Sequence, residues 1–101
     1  MWLFVFFDMP TDTADHRRNY MLFRKKLMKD CFKMFQYSVY MRHCPSKENA
    51  DVHIKRVKAM LPELCHVGIL MITDKQFSTM ENLYGGQVRQ LPEGESPLEM
   101  I

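Results

Sequence analysis

The apolar run Trp2-Leu3-Phe4-Val5-Phe6-Phe7 ends on a carboxylate, Asp8, and the turn Met9-Pro10-Thr11 follows at once. The length of the run and its aromatic, β-branched content suit a short buried strand. Asp8 then stands at the carboxyl end of that strand, where a fold exposes backbone and side chains to a ligand. It is the first candidate for chemistry. The competing reading is that Asp8 only opens a turn before Pro10.

The remaining pattern predicts alternating elements. Thr11-Asp12-Thr13 offers N-cap oxygens to a helix running to about Asp30, with Asp12 and Asp15 near its positive end. Tyr20, Phe23 and Leu27 make its buried stripe. Phe32 to His43 reads as β structure, one strand or two joined by a turn near Gln36-Tyr37-Ser38. Ser46 caps a second helix to about Leu61, with the stripe Ala50, Ile54, Val57 and Leu61, ended by Pro62. Leu64 to Thr73 is a second strongly apolar strand, and Gly68 inside it marks a place for close approach of another backbone. A turn at Asp74-Lys75-Gln76 leads to Tyr84-Gly85-Gly86, read either as an interface strand or as a turn. This order suggests an α+β, ferredoxin-like sandwich: an antiparallel sheet with two helices on one face.

Charge is distributed unevenly. Between His16 and Lys58 lie twelve of the fourteen Lys and Arg residues against Asp30, Glu48 and Asp51 alone, a net charge of +9. Such a stretch points to a polyanionic partner. Arg17, Arg18, Arg24, Lys25, Lys26 and Lys29 on the first helix, with Arg42 on the β segment, are the candidate nucleic-acid contacts. A solvated helix face is the plainer reading of the same charges. From Gln87 the sign reverses, with Glu93, Glu95 and Glu99 against Arg89, so residues 1–86 read as the domain and 87–101 as an acidic tail.

At 101 residues the chain holds one core, small enough for a dimer to help bury its apolar surface. The opening run is too short to cross a bilayer and lacks the basic flank and cleavage site of a signal peptide, so the expectation is a cytoplasmic protein with no membrane contact. Cys31, Cys44 and Cys65 form no C-x-x-C pair and signal neither a disulfide framework nor a zinc knuckle. In the His43-Cys44 doublet, neighbours on a strand point to opposite faces.

Phe7-Asp8-Met9-Pro10-Thr11, the segment Phe35-Gln36-Tyr37-Ser38-Val39-Tyr40-Met41-Arg42-His43, the stretch Glu48 to Val57, Ile72-Thr73-Asp74-Lys75-Gln76-Phe77 and Tyr84-Gly85 together resemble the CRISPR-associated Cas2 family, particularly members found beside Cas9 effectors. The resemblance spans about residues 1–86. It implies a ferredoxin-like homodimer whose terminal strand segment pairs with the partner protomer, bringing the two copies of Asp8 near the twofold axis. It further implies a role in spacer acquisition, bridging Cas1 integrase dimers on duplex DNA. Metal-dependent endonuclease activity on single-stranded RNA or duplex DNA is also implied. Asp8 matches the family's magnesium ligand and catalytic residue, Arg17 and Arg18 the basic positions after it, and Tyr40 the aromatic position of the Gln-x-Ser-Val-aromatic motif. The chain departs from relatives at Phe7, where many have Tyr, and at Met34, where some have Arg.

Two functions are therefore expected from different classes. One is a scaffold that binds nucleic-acid backbone without sequence preference, weakened by salt. The other is a Mg2+-dependent endonuclease on paired Asp8 carboxylates, with Arg17 or Arg18 neutralising developing charge. No Glu or His within the motif is an obvious general base; His16 is nearest in sequence. A small-ligand regulatory domain of the same fold is the third reading, disfavoured by the absence of a Gly-rich phosphate loop.

Overall fold

The computed structural model describes residues 1–85 and 87–89. Its elements run β1 (Trp2–Asp8), α1 (Ala14–Lys29), β2 (Lys33–Gln36), β3 (Val39–His43), α2 (Lys47–Ala59), β4 (His66–Ile72), α3 (Asp74–Ser78), β5 (Asn82–Tyr84) and β6 (Gln87–Arg89). The first four strands form an antiparallel sheet in the order β2-β3-β1-β4, the ferredoxin-like order. β1 is paired on both sides, to β3 from Trp2↔His43 to Phe6↔Val39 and along its whole length to β4 from Trp2↔Ile72 to Asp8↔His66.

Strand alternation sorts β1 into two faces. Leu3, Val5 and Phe7 join Tyr20, Phe23 and Leu27 of α1 and Ala50 and Val57 of α2 in the core, which places both helices on one side of the sheet. Trp2, Phe4 and Phe6 occupy the other side. There Phe77 of α3 stacks on Trp2 with centroids 4.0 Å apart, but Phe6 and Leu70 remain 42% and 48% exposed.

Both long helices begin as their caps dictate. Thr13 Oγ1 accepts from the His16 amide at 3.1 Å, and Ser46 Oγ from the Asn49 amide at 3.1 Å. α2 stops at Ala59, two residues short of the expected Leu61, whose side chain is exposed instead of completing the stripe. Phe32 to His43 is two strands, with the turn at Tyr37-Ser38 and Ser38 at φ 63°. The expected turn at Asp74 is a short helix, because Thr73 and Gln76 form a reciprocal capping box. The Tyr84-Gly85 segment is the end of β5 and a turn, Gly85 having φ 59°. β5 pairs with β6 in a two-stranded sheet separate from the main one. Gly86 and residues 90–101, most of the expected tail, lie outside the described residues.

α1 ends in a Schellman motif. The Phe32 amide donates to Leu27 O and the Cys31 amide to Met28 O, both at 3.0 Å, and Cys31 takes φ 67°. Beside it lies a side-chain clamp that joins three elements. The Asp30 carboxylate accepts from His53 Nδ1 at 2.7 Å and Arg56 at 2.8 Å, while Arg42 donates to the Asp30 carbonyl at 2.6 Å. An ionised carboxylate only accepts, so Nδ1 of His53 carries the proton, and the Arg42 guanidinium 3.2 Å away gains no lone pair there. Burial acts to raise the Asp30 pKa, but the hydrogen bonds and charges of His53 and Arg56 outweigh it and hold the carboxyl below its ordinary value.

The first expected outcome concerns this clamp. Asp30→Ala leaves the buried His53 Nδ1 proton without an acceptor and lowers stability by about 2–3 kcal/mol in urea unfolding at neutral pH. Because the folded-state pKa is depressed, this contribution is complete above the ordinary value of 3.8 and disappears as pH falls through the lowered one. Wild type and variant therefore converge in acid. The second concerns Cys31: Cys31→Gly removes a left-handed strain of about 1–2 kcal/mol, offset by about 0.5–1 kcal/mol of added unfolded-state freedom, for a net gain of about 0.5–1 kcal/mol in the same assay.

Candidate functional site

Four segments meet at the carboxyl end of β1. The antiparallel pairings bring there the β2–β3 turn and the amino end of β4, and the chain itself continues into the loop before α1. The Phe7 amide donates to the Ser38 carbonyl at 3.1 Å, which ties the turn to the strand end. Tyr20 of α1 reaches the same turn, its hydroxyl 3.0 Å from Ser38 Oγ and its ring stacked on Tyr37 with centroids 5.9 Å apart. Tyr37 is 75% exposed, an aromatic surface beside the strand end.

Asp8 occupies this end with its side chain exposed and without a hydrogen bond or ion pair among the described residues. Its cross-strand partner on β4 is His66, also exposed and unpaired, and directly paired residues project from the same face. His66 is a site residue that sequence reasoning missed: 58 positions separate it from Asp8, and only strand register brings them together. His16, the nearest histidine in sequence, is instead held by Asp12 at 2.6 Å across the N-cap of α1. That bond, more than any other interaction, holds the Asp12 carboxyl below its usual range.

The basic residues fall into two populations. Arg18, Lys25, Lys26 and Lys29 are exposed on α1 and unpaired among the described residues, and Arg17 is exposed with its guanidinium 3.2 Å from the Thr11 carbonyl in the loop after Asp8. Lys47, Lys55 and Lys58 extend the exposed set onto α2. Two candidates turn inward. Arg24 Nε donates to the buried Tyr40 hydroxyl at 2.7 Å, with its guanidinium 5.9 Å from the Tyr20 ring centroid. Arg42 lies over the Phe32 ring and donates to the carbonyls of Asp30 and His43. Arg24 and Arg42 are thus half-buried, each with part of its guanidinium engaged within the fold, whereas the other basic candidates on α1 are exposed. Tyr40 itself is fully buried against Phe7 and belongs to the core.

Among the described residues, no group of three or more His, Cys, Asp or Glu side chains converges to hold a metal ion. One open carboxylate nevertheless fits Mg2+, which is commonly held by one or two carboxylates and keeps several waters. All three cysteines are unpaired, and burial pushes the Cys44 thiol up, away from thiolate chemistry. His43 and Cys44 do point apart, His43 to Asp74 on the surface and Cys44 into the core. No helix among the described residues is long and apolar enough to cross a membrane.

A family model described as CRISPR associated protein Cas2 matches residues 1–80. A Flavobacterium psychrophilum protein named CRISPR-associated endoribonuclease Cas2 is 47% identical over 101 residues, covering 100% of this chain and 88% of its own. A protein of the same name from Parvibaculum lavamentivorans is 49% identical over 100 residues, covering 99% and 97%. The crystal structure of Streptococcus pyogenes Cas2 at pH 6.5 superposes with a TM-score of 0.60 at 19% identity, over 83% of this chain and 100% of that one, a likeness of fold.

The two basic populations differ in what their removal does to the fold. Single Ala substitutions at Arg18, Lys25, Lys26 or Lys29 change unfolding free energy by less than about 0.5 kcal/mol. Arg24→Ala strips the buried Tyr40 hydroxyl of its donor and costs about 1.5–3 kcal/mol. Urea denaturation of the five variants measures the contrast.

Proposed function

This chain belongs to the Cas2 family of CRISPR-associated proteins, and from that premise we propose that it acts in the cytoplasm as a homodimeric, backbone-binding subunit of spacer acquisition that scaffolds a Cas1 integrase on duplex DNA. The observation that carries the binding reading is the open basic face of α1, where Arg18, Lys25, Lys26 and Lys29 have no intramolecular partner among the described residues. Ammonium and guanidinium groups without carboxylate partners release condensed counterions when they meet phosphate, a sequence-independent source of affinity. The dimer is supported by the sheet face opposite the helices, where Phe6 and Leu70 stand exposed side by side with Gly68. A Cβ built on Gly68 meets nothing within 4 Å in the single chain, so this apolar face has room for close approach by a second copy.

A second reading, a Mg2+-dependent endonuclease of single-stranded RNA or duplex DNA, is favoured by the exposed and unpaired Asp8 and by the name that the relatives carry. On the proposed dimer, Asp8 of each protomer would hold the ion. When bound, Mg2+ supplies Lewis-acid activation of the phosphate under attack. The chain's own contribution is positional. Asp8 is fixed by ladder bonds to β4, Arg17 is held over the adjacent loop where it neutralises phosphate charge, and exposed Tyr37 offers a ring on which an unpaired base stacks.

Labelled duplex DNA and single-stranded RNA, incubated with wild type and Asp8→Ala with and without Mg2+ over 50–200 mM salt, test both readings in one gel. Both proteins are expected to retain duplex with affinity that falls as salt rises, each lost phosphate contact reducing the log–log slope by about 0.9. Binding indifferent to salt overturns the backbone-binding reading. Cleavage that requires Mg2+ and vanishes in Asp8→Ala establishes the enzyme; its absence in wild type removes that reading and leaves the scaffold.

A further inference from the structure

The four histidines of this chain divide by what they touch. His16 is bonded to Asp12 at 2.6 Å, His43 to Asp74 at 3.1 Å and His53 to Asp30 at 2.7 Å. His66 alone has no hydrogen bond or ion pair among the described residues, and it stands directly opposite an equally unpartnered carboxylate, Asp8. Directly paired residues of an antiparallel ladder have Cβ atoms about 4.5–5.5 Å apart on one face. An imidazole nitrogen and a carboxylate oxygen on such neighbours lie within reach of a common ion with bonds of about 2.0–2.2 Å. The two side chains are anchored by the same β1–β4 ladder, so their backbones are held in register without a loop between them.

We propose that His66 is a metal ligand alongside Asp8, and that it converts an all-oxygen magnesium site into a mixed nitrogen–oxygen site selective for a divalent transition-metal ion of the zinc or cobalt type. The inference rests on the reading of Asp8 as a metal ligand and deepens it. Mg2+ is a hard ion that favours carboxylate and water oxygens, whereas imidazole favours the borderline first-row ions. Asp8 and His66 of one chain supply one oxygen and one nitrogen donor, and water or a second copy of the chain would complete the shell of such an ion. The other neighbour of the site that binds such ions, Cys65, turns away: its thiol donates to the Pro62 carbonyl at 3.2 Å and packs against the core. His16 and His43 already have carboxylate partners, which makes them the controls for adventitious binding.

Isothermal titration of the full-length protein with Co2+, Zn2+ and Mg2+, followed by visible absorption of the Co2+ form, tests the inference without reference to activity. The expected result is Co2+ and Zn2+ binding at least about tenfold tighter than Mg2+, with Co2+ ligand-field bands of a nitrogen-containing site. His66→Ala should reduce Co2+ and Zn2+ affinity about tenfold or more and shift those bands, leave Mg2+ affinity unchanged, and leave the melting temperature unchanged because His66 is exposed. Asp8→Ala should weaken all three ions. If His66→Ala leaves Co2+ affinity and spectrum as they were while Asp8→Ala abolishes them, His66 is no ligand and the Asp8 site stands without it. Loss of Co2+ binding in His16→Ala or His43→Ala instead of His66→Ala overturns the inference in the same way. Binding that is indifferent to Asp8→Ala for every ion overturns the reading of Asp8 itself.

Discussion

Everything in this molecule is referred to β1, an inner strand paired to β3 over Trp2–Phe6 and to β4 over Trp2–Asp8. Its alternation sends Leu3, Val5 and Phe7 under the helices and Trp2, Phe4 and Phe6 to the opposite face, so a slip of one residue would exchange the two sets and expose the core. The register that prevents the slip also determines the site. With Phe6 against Gly68 and Phe7 against Val67, Asp8 must oppose His66, and the β2–β3 turn must close on the Phe7 amide. Packing and chemistry are thus consequences of a single ladder.

At the other end of the sheet, the constraint is electrostatic. α1 delivers Asp30 at its C-cap, α2 presents His53 and Arg56, and β3 sends Arg42 to the Asp30 carbonyl. A carboxylate this enclosed needs donors from each neighbour, because an unpaired buried charge costs several kcal/mol. The clamp therefore ties α1, α2 and β3 together at this end of the sheet. It also draws Arg42 away from solvent, just as Tyr40 draws Arg24. The fully exposed basic residues run along α1 from the loop after Asp8 to Lys29 and continue on α2 with Lys47, Lys55 and Lys58.

What could be read from the chain was what depends on neighbours within a turn or two. The caps Thr13 and Ser46, the stripe Tyr20, Phe23 and Leu27, the strand ending at Asp8 and the sandwich they imply all follow from local pattern. The capping box of Thr73 and Gln76 was equally local, and its Thr-x-x-Gln spacing was there to be read as a helix start rather than a turn. The inward turn of Arg24 and Arg42 was not legible, since a guanidinium finds a buried hydroxyl or carbonyl only once tertiary contacts exist. His53 sits on the buried face of α2, between Ala50 and Val57, yet a polar residue there reads as an interruption until Asp30 arrives from another helix. His66 is the extreme case, invisible until strand register is known.

The position of Asp8 explains why a single chain looks chemically sparse. Its face of the sheet is the one the two long helices leave uncovered, with Phe6 and Leu70 exposed on it. Apolar surface of this kind is stabilised by association, whereas an exposed carboxylate beside an imidazole gains nothing from being buried without a counter-charge. A second copy brought against that face would supply the remaining donors, and an ion between them would neutralise the carboxylates it brings together. Assembly and ion binding would then favour each other through the same contacts, since whatever binds only the associated form shifts the equilibrium toward it.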